Sequence, residues 1–422
     1  MLEHPKFGNA FNLGKLIGVT GVSQILVQAI GFISGILVIR LLPVEEYALY
    51  TLANTMLGTM TVLADGGISS GLMAEGGKVW QDKEKLGVAL ATGLDLRKKF
   101  AVFSLIVLVP VLFYLLIRNN ASWLMASLIV VSIIPAFFSA LSDSLLQIVP
   151  KLHQKIVPLQ KNQLEVGLLR LVLLGITIFI FPFTYIVLLV NGVTRIYGNI
   201  KLQKIAKPLV GEKMTPDLVV RKNMIGVVKK IMPGAIYYSI SGQISVWLLS
   251  IFGSTTSVAE IGALARFSLL LTVFASVFAT IAIPRFSRLQ KNNMQTLKIY
   301  MQLQAGVVAL CLFLCLMVFA FSHYLLLILG DNYFQLENEL LLVFIAGSLS
   351  LISGLSFSLG SSKGYPTNPY ILIITNICFL IMGYLLFDIS TLIGVLYFNI
   401  FVAVAPVLIH SSYFYYKMLK DK

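Results

Sequence analysis

The sequence predicts an all-α integral membrane protein of about 12 transmembrane helices, arranged as two six-helix lobes with both termini cytoplasmic. Three observations predict it: an apolar composition, apolar runs of membrane-spanning length along the whole chain, and basic residues sorted onto alternate connections. Of 422 residues, 58% are hydrophobic and 12% charged, with a mean hydropathy of +0.89. An ordinary soluble domain is roughly half apolar and a quarter charged. The apolar runs leave no stretch from which a separate soluble domain would be built.

The first run, 17–39 (IGVTGVSQILVQAIGFISGILVI), carries no charge, and a helix needs roughly 17–25 residues to cross the hydrocarbon core. It is too long for the apolar part of a signal peptide and has no small-residue cleavage pattern after it, so it is read as a span. The hairpin VIRLLPVEEYALYTL leads into the second, 47–73. The third, 100–117 (FAVFSLIVLVPVLFYLLI), is again uncharged. Spans at 122–148, 164–181 and 184–206 complete an N-terminal lobe, 1–208. The longest basic connection follows, with KPLVGEKMTPD in its middle, and 209–225 reads as a cytoplasmic inter-lobe linker. The C-terminal lobe, 226–422, holds spans at 226–252, 262–284, 303–322, 336–360, 370–387 and 391–416. Repeats of six spans run parallel, related by an axis along the membrane normal. VEEYAL (Val44 to Leu49) and VAEIGAL (Val258 to Leu264), each in the first outward connection of its half, are a small echo of such a repeat.

Charge sets the orientation. All but five of the 32 lysines and arginines fall at the termini or on alternate connections; the exceptions are Arg40, Arg118, Arg170, Arg195 and Arg266. The remaining connections carry Glu45, Glu46, Asp331, Glu337, Glu339 and Asp388. The positive-inside rule then places both termini in the cytoplasm and the Val38 to Leu52 hairpin outside. The same sorting, with attraction to anionic inner-leaflet lipid, accounts for a net charge of +14 without a nucleic-acid partner. The stretch KVWQDKEKLGVALATGLDLRKKF, with Leu86, Leu90 and Leu94 four apart, reads as an interfacial helix on the cytoplasmic surface and not as a site.

Charges inside spans point to function, because arginine at the membrane centre costs at least ~2.5 kcal/mol. Arg195 is the deepest: it lies about eleven residues into its span, or roughly 16 Å at 1.5 Å per residue. Arg170 and Arg266 sit about a turn inside the ends of theirs, and Arg40 ends the first span. The acids near the spans are Asp65, in LADGGISSG, Asp143 and Glu165. Structural pairing with these acids is the alternative reading for the arginines. Full pairing would still leave positive charge over, which suits an anionic ligand. Gly66, Gly67, Gly71, Pro135, Pro233 and Pro284 interrupt spans, as packing contacts or hinges. Gln24, Gln28, Asn54, Asn191 and Gln243 are either cavity lining or interhelical hydrogen-bond partners.

Several chemistries lack their motifs. No GxxxxGK[ST] phosphate loop occurs, and His4, His153, His323 and His410 show no metal-ligand spacing, so neither metal nor cofactor is expected. Cys311, Cys315 and Cys378 lie inside apolar runs as packing residues. The outward connections are short, which argues against a membrane enzyme.

Finally, GFISGILVIRLLPVEEYALYTLANTMLGTMTVLADGGISSG (Gly31 to Gly71) resembles the opening of the polysaccharide-biosynthesis flippases called Wzx, in the multidrug/oligosaccharidyl-lipid/polysaccharide superfamily. The shared features are glycines in the first span, Arg-Leu-Leu at its end, an acidic pair before an aromatic residue, and Asp-Gly in the second span. Ala48 stands where the family often has glycine.

The resemblance implies a non-enzymatic flippase in the bacterial cytoplasmic (inner) membrane. It would move a polyprenyl-pyrophosphate-linked oligosaccharide from inner to outer leaflet by alternating access, for O-antigen or capsule biosynthesis. On this reading Arg195 and Arg266 contact the headgroup, with Arg40 and Arg170 next. Asp65, Glu165 and Asp143 are the ion-coupling candidates, for H+ or Na+. Membrane lipids and the polysaccharide polymerase machinery are the further partners. The alternatives are a multidrug or organic-cation antiporter of the same superfamily and, from another class, a membrane glycan polymerase or glycosyltransferase.

Overall fold

The computed structural model describes residues 5–211, 215–289 and 293–420, with side chains from Ser23 onward except those of 277, 279–281, 284 and 293. Lys213, Lys291 and Lys422 of the charge pattern, His4, and the side chains of Lys6, Lys15 and Pro284 lie outside what is described. Among the described residues all regular structure is helical. In chain order the helices are α1 (Pro5–Leu41), α2 (Val44–Asp65), α3 (Ile68–Lys78), α4 (Lys83–Arg118), α5 (Trp123–Leu146), α6 (Ile148–Leu152), α7 (Ile156–Ile180) and α8 (Thr184–Ala206). After the linker come α9 (Leu218–Ser241), α10 (Ile244–Phe252), α11 (Thr255–Leu264), α12 (Ser268–Ser287), α13 (Asn293–Leu329), α14 (Glu337–Ser362), α15 (Pro369–Leu386) and α16 (Leu392–Lys420).

Each of the twelve predicted spans corresponds to one helix or to a broken pair. Among the described residues nine are long and apolar enough to cross a membrane on composition alone, or ten if α9 and α10 make one span. The other two, α2 and α8, are diluted by polar residues such as Thr51, Asn54 and Thr59 in α2 and Asn191, Arg195 and Asn199 in α8. Their positions explain the dilution. From Tyr47 to Ala64 most of α2 is buried in protein, so it needs no apolar surface for lipid. Helices on the outside do: Phe179 is 80% exposed, and Ile106, Leu316 and Leu385 also project outward.

Local sequence sets the helix ends. Side chains of Asp82, Ser122, Asp217, Ser254 and Asn368 accept hydrogen bonds from the first backbone N–H groups of α4, α5, α9, α11 and α15. Between α2 and α3, Gly66 (φ 47°) and Gly67 (φ 97°) both take the left-handed conformation that other residues avoid. The second predicted span is therefore two helices meeting at Asp65.

The predicted interfacial helix is not a separate element. Residues from Lys83 onward continue without a break into the third span as the 36-residue α4. Leu86 and Leu90 belong to a buried cluster with Ile68, Leu72, Leu145, Val149, Leu202 and Met224, and Leu94 packs against it. The leucine spacing marks a face turned to protein, a pattern it shares with a face turned to lipid headgroups.

The chain divides into two compact units, Met1–Gln243 and Ile244–Lys422. Within the first, α5 lies against α8, α7 against α8 and α1, α2 against α4, and α9 against α2 and α3. Glycines permit the closest approaches: a Cβ on Gly198 of α8 would fall 2.5 Å from Val166 Cγ2 of α7. Within the second, α14 packs on α12, α13 and α16. There Phe286, Tyr300, Leu359, Phe414 and Met418 form a buried cluster, with the Tyr300 and Phe414 rings 4.3 Å apart.

Candidate functional site

A cavity of about 860 Å³ opens within the first unit. Its lining follows helical periodicity: Ala140, Asp143 and Ser144 on α5 with Gln147 just past its end, then Gln163, Val166, Gly167 and Arg170 on α7. Each set is spaced i, i+3, i+4, i+7, one face of a helix. Ser69, Ser70 and Met73 from α3, Thr194, Arg195 and Gly198 from α8, Lys151 from α6 and Val27 from α1 complete the wall. Hydroxyl, amide and cationic groups thus converge inside a bundle whose outer faces are apolar.

Three cations, Lys151, Arg170 and Arg195, face one carboxylate, Asp143. Asn199 Nδ2 donates to Asp143 Oδ1 at 2.8 Å, while Gln203 Nε2 donates to Asn199 Oδ1 at 2.9 Å, fixing which way the amide points. Arg195 acts on Asp143 through its charge, yet among the described residues it forms no salt bridge and donates no hydrogen bond. A half-buried guanidinium with five N–H donors and no acceptor among the described residues has the chemistry to hold an anion.

Arg170 stands further from the start of its helix than the sequence reading placed it. The fifth span, expected from 164, begins at Ile156, because Gln160, Lys161, Asn162 and Gln163 are helical despite their polarity. Arg170 is therefore about 14 residues, or roughly 21 Å, from the start of its helix.

Behind the wall lies a residue that sequence reasoning assigned to the cytoplasmic surface. Arg97 of α4 is 2% exposed and ion-paired with Asp65. Its guanidinium also donates to Ser69 Oγ (2.8 Å), to Ser144 Oγ and to the Leu141 carbonyl. Asp65 accepts from the Ser69 hydroxyl (2.7 Å) and backbone N–H (3.1 Å), so it also caps the start of α3. Arg97 thus holds two cavity-lining serines, on α3 and α5, from outside the cavity. The available signal was its position: Leu86, Leu90 and Arg97 share a face of α4 at helical spacing, and that face is buried.

Of the seven predicted site residues, the structure brings Arg195, Arg170 and Asp143 to one cavity. Asp65 is engaged by Arg97, and Glu165 bridges α7 to α8 through Lys201. Arg40 is exposed at the end of α1, and Arg266 is half-buried in the short turn Ala265–Phe267 of the second unit. Neither lines this cavity. Among the described residues no group of three or more His, Cys, Asp and Glu side chains is placed to hold a metal.

No family model matches the chain, and no functionally curated protein matches its sequence. Its fold, by contrast, matches solved transporters. An inward-facing multidrug resistance MATE family transporter of the MOP superfamily superposes with a TM-score of 0.69 at 12% identity, covering 93% of this chain and 94% of its own. The lipid II flippase MurJ, in an inward closed conformation, gives a TM-score of 0.70 at 11% identity, covering 95% and 87%. A MOP superfamily transporter from Pyrococcus furiosus, described as having reversed binding-pocket polarity, gives 0.63 at 14% identity, covering 95% and 93%. The chain has the MATE and MurJ transporter fold, and its twelve predicted spans in two six-helix lobes fit it.

Proposed function

We propose that this protein is a flippase that carries a polyprenyl-pyrophosphate-linked oligosaccharide from the inner to the outer leaflet of a bacterial cytoplasmic membrane, for O-antigen or capsule biosynthesis. Transport is by alternating access of an N-terminal lobe, 1–208, and a C-terminal lobe, 226–422, with both termini cytoplasmic. The observation that carries the reading is the cavity's charge: Lys151, Arg170 and Arg195 against Asp143. In a low-dielectric site such an excess attracts a diphosphate, and the neighbouring serines and amides suit sugar hydroxyls. The polyprenyl tail stays in lipid.

In this proposal Arg195 and Arg170 bind the headgroup, and Arg266 and Arg40 are further contacts. Asp143 is the coupling carboxylate, because Asp65 and Glu165 are already held by Arg97 and Lys201. The test uses a strain lacking the gene. Lipid-linked oligosaccharide should accumulate, protected from an external glycosidase, and wild type should restore export where Arg195→Ala, at equal protein level, does not. Oligosaccharide exposed outside but unpolymerised would instead favour a polymerase.

The fold also matches a multidrug transporter, so an organic-cation antiporter is the second reading. The cationic lining opposes it. On that reading Arg195→Ala would leave drug export intact and lipid-linked sugars unchanged.

A further inference from the structure

The three cations of the cavity stand at two depths. Asn199 Nδ2 donates to Asp143, and Gly198 meets Val166 across α7 and α8, so positions 143, 166 and 198–199 share one level. Counting along the helices at 1.5 Å per residue, Arg195 and Arg170 lie three and four residues, about 5 and 6 Å, beyond that level, toward the α7–α8 turn. Lys151 lies the other way, on α6, past the end of α5. It is exposed, lines the same cavity, and among the described residues forms no salt bridge. Its short helix is also fixed in place: the Leu152 side chain seats against Gly76 and Gly77 of α3, where a Cβ on Gly76 would come within 3.0 Å of Leu152 Cδ1. A lysine tethered at the rim of a cavity, with no partner, is placed to meet a ligand before the deeper groups do.

We infer that Lys151 is the entry contact for a diphosphate headgroup, the outer of two levels of cationic charge, with Arg195 and Arg170 together at the inner one. This rests on the flippase reading above. An ammonium is a compact, mobile charge that attracts without demanding geometry, whereas the guanidinium fork of the deeper residues fixes orientation. Capture therefore depends on long-range attraction at Lys151, and retention on the arginines.

The test is stopped-flow binding of farnesyl diphosphate to the purified full-length protein in nanodiscs of neutral lipid, over a range of NaCl concentrations. At low salt, association should slow in the order wild type, Lys151→Gln, Lys151→Glu, with the charge reversal about tenfold slower than wild type. At high salt, where the screening length falls to a few ångströms, the three rates should converge. Dissociation should be unchanged, because the exposed lysine is not the retaining group. Arg195→Gln should instead speed dissociation at every salt concentration. Equal association rates and equal salt slopes for wild type and both Lys151 variants would overturn the entry role while leaving the flippase reading intact. A wild-type protein that does not bind the diphosphate at all would overturn both.

Discussion

Arg97 and Asp65 form an ion pair inside the first unit that links the middle of α4 to the break between α2 and α3. Removing one member of such a pair leaves a charge without a partner, which destabilises by about 3–5 kcal/mol. Arg97→Ala is therefore expected to lower the thermal unfolding midpoint in detergent sharply. Arg97→Lys should recover only part of the loss, since one ammonium cannot serve Asp65, Ser69, Ser144 and the Leu141 carbonyl together. An Arg97→Lys protein as stable as wild type would show that the multiple hydrogen bonds contribute nothing.

Arg195 and Arg170 are expected to act on transport and not on folding. Each charged hydrogen bond to a ligand contributes about 1.5–3 kcal/mol, or roughly 10- to 100-fold in affinity. Arg195→Gln and Arg170→Gln should reduce transport of a lipid diphosphate in proteoliposomes by that range at normal protein levels. Full activity in both variants would remove the cavity from the mechanism.

Gly198 is expected to tolerate no side chain. Its Cβ would lie 2.5 Å from Val166 Cγ2, so Gly198→Ala pushes α7 from α8 and should cost about 1–3 kcal/mol. Val166→Ala in the same chain should restore most of the loss, measured by the unfolding midpoint. Failure of that rescue would place the strain elsewhere than this contact.

The hairpin between α1 and α2 has a structural task in its acidic pair. Glu46 accepts from the Thr184 backbone N–H (2.7 Å) through its carboxylate and from the Thr184 hydroxyl (2.6 Å) through its carbonyl. The carboxylate satisfies the first N–H of α8 and sits at the positive end of its dipole. Glu46→Ala should lower stability by about 1–2 kcal/mol, as for loss of a helix cap. It should also speed hydrogen exchange over 184–187. Unchanged exchange there would mean water replaces the carboxylate at no cost.

Much of this protein is determined by sequence alone, because the membrane imposes a one-dimensional rule. A helix that crosses lipid must be apolar for about twenty residues, so spans such as Phe100 to Ile117 are visible without any contact information. Basic residues sort by side for a similar reason, and that sorting is the ground for the expected side of Arg40 and Glu46. Asp143 was legible as a charge near the end of a span, but that Ser144 and Gln147 join it on one cavity-lining face was not read from the sequence.

What that face meets is a pairing of helices far apart in the chain, and only the tertiary structure decided it. Arg195 and Arg170 line one cavity because α7 packs on α8 and α8 on α5. Arg97 looked like one more cytoplasmic cation, because a buried ion pair and a solvated charge have the same residue name. Its role follows from Asp65, Ser69 and Ser144, brought to it by α2, α3 and α5. Charge inside a membrane protein is tolerated where partners remove it from lipid, and partners are a property of packing.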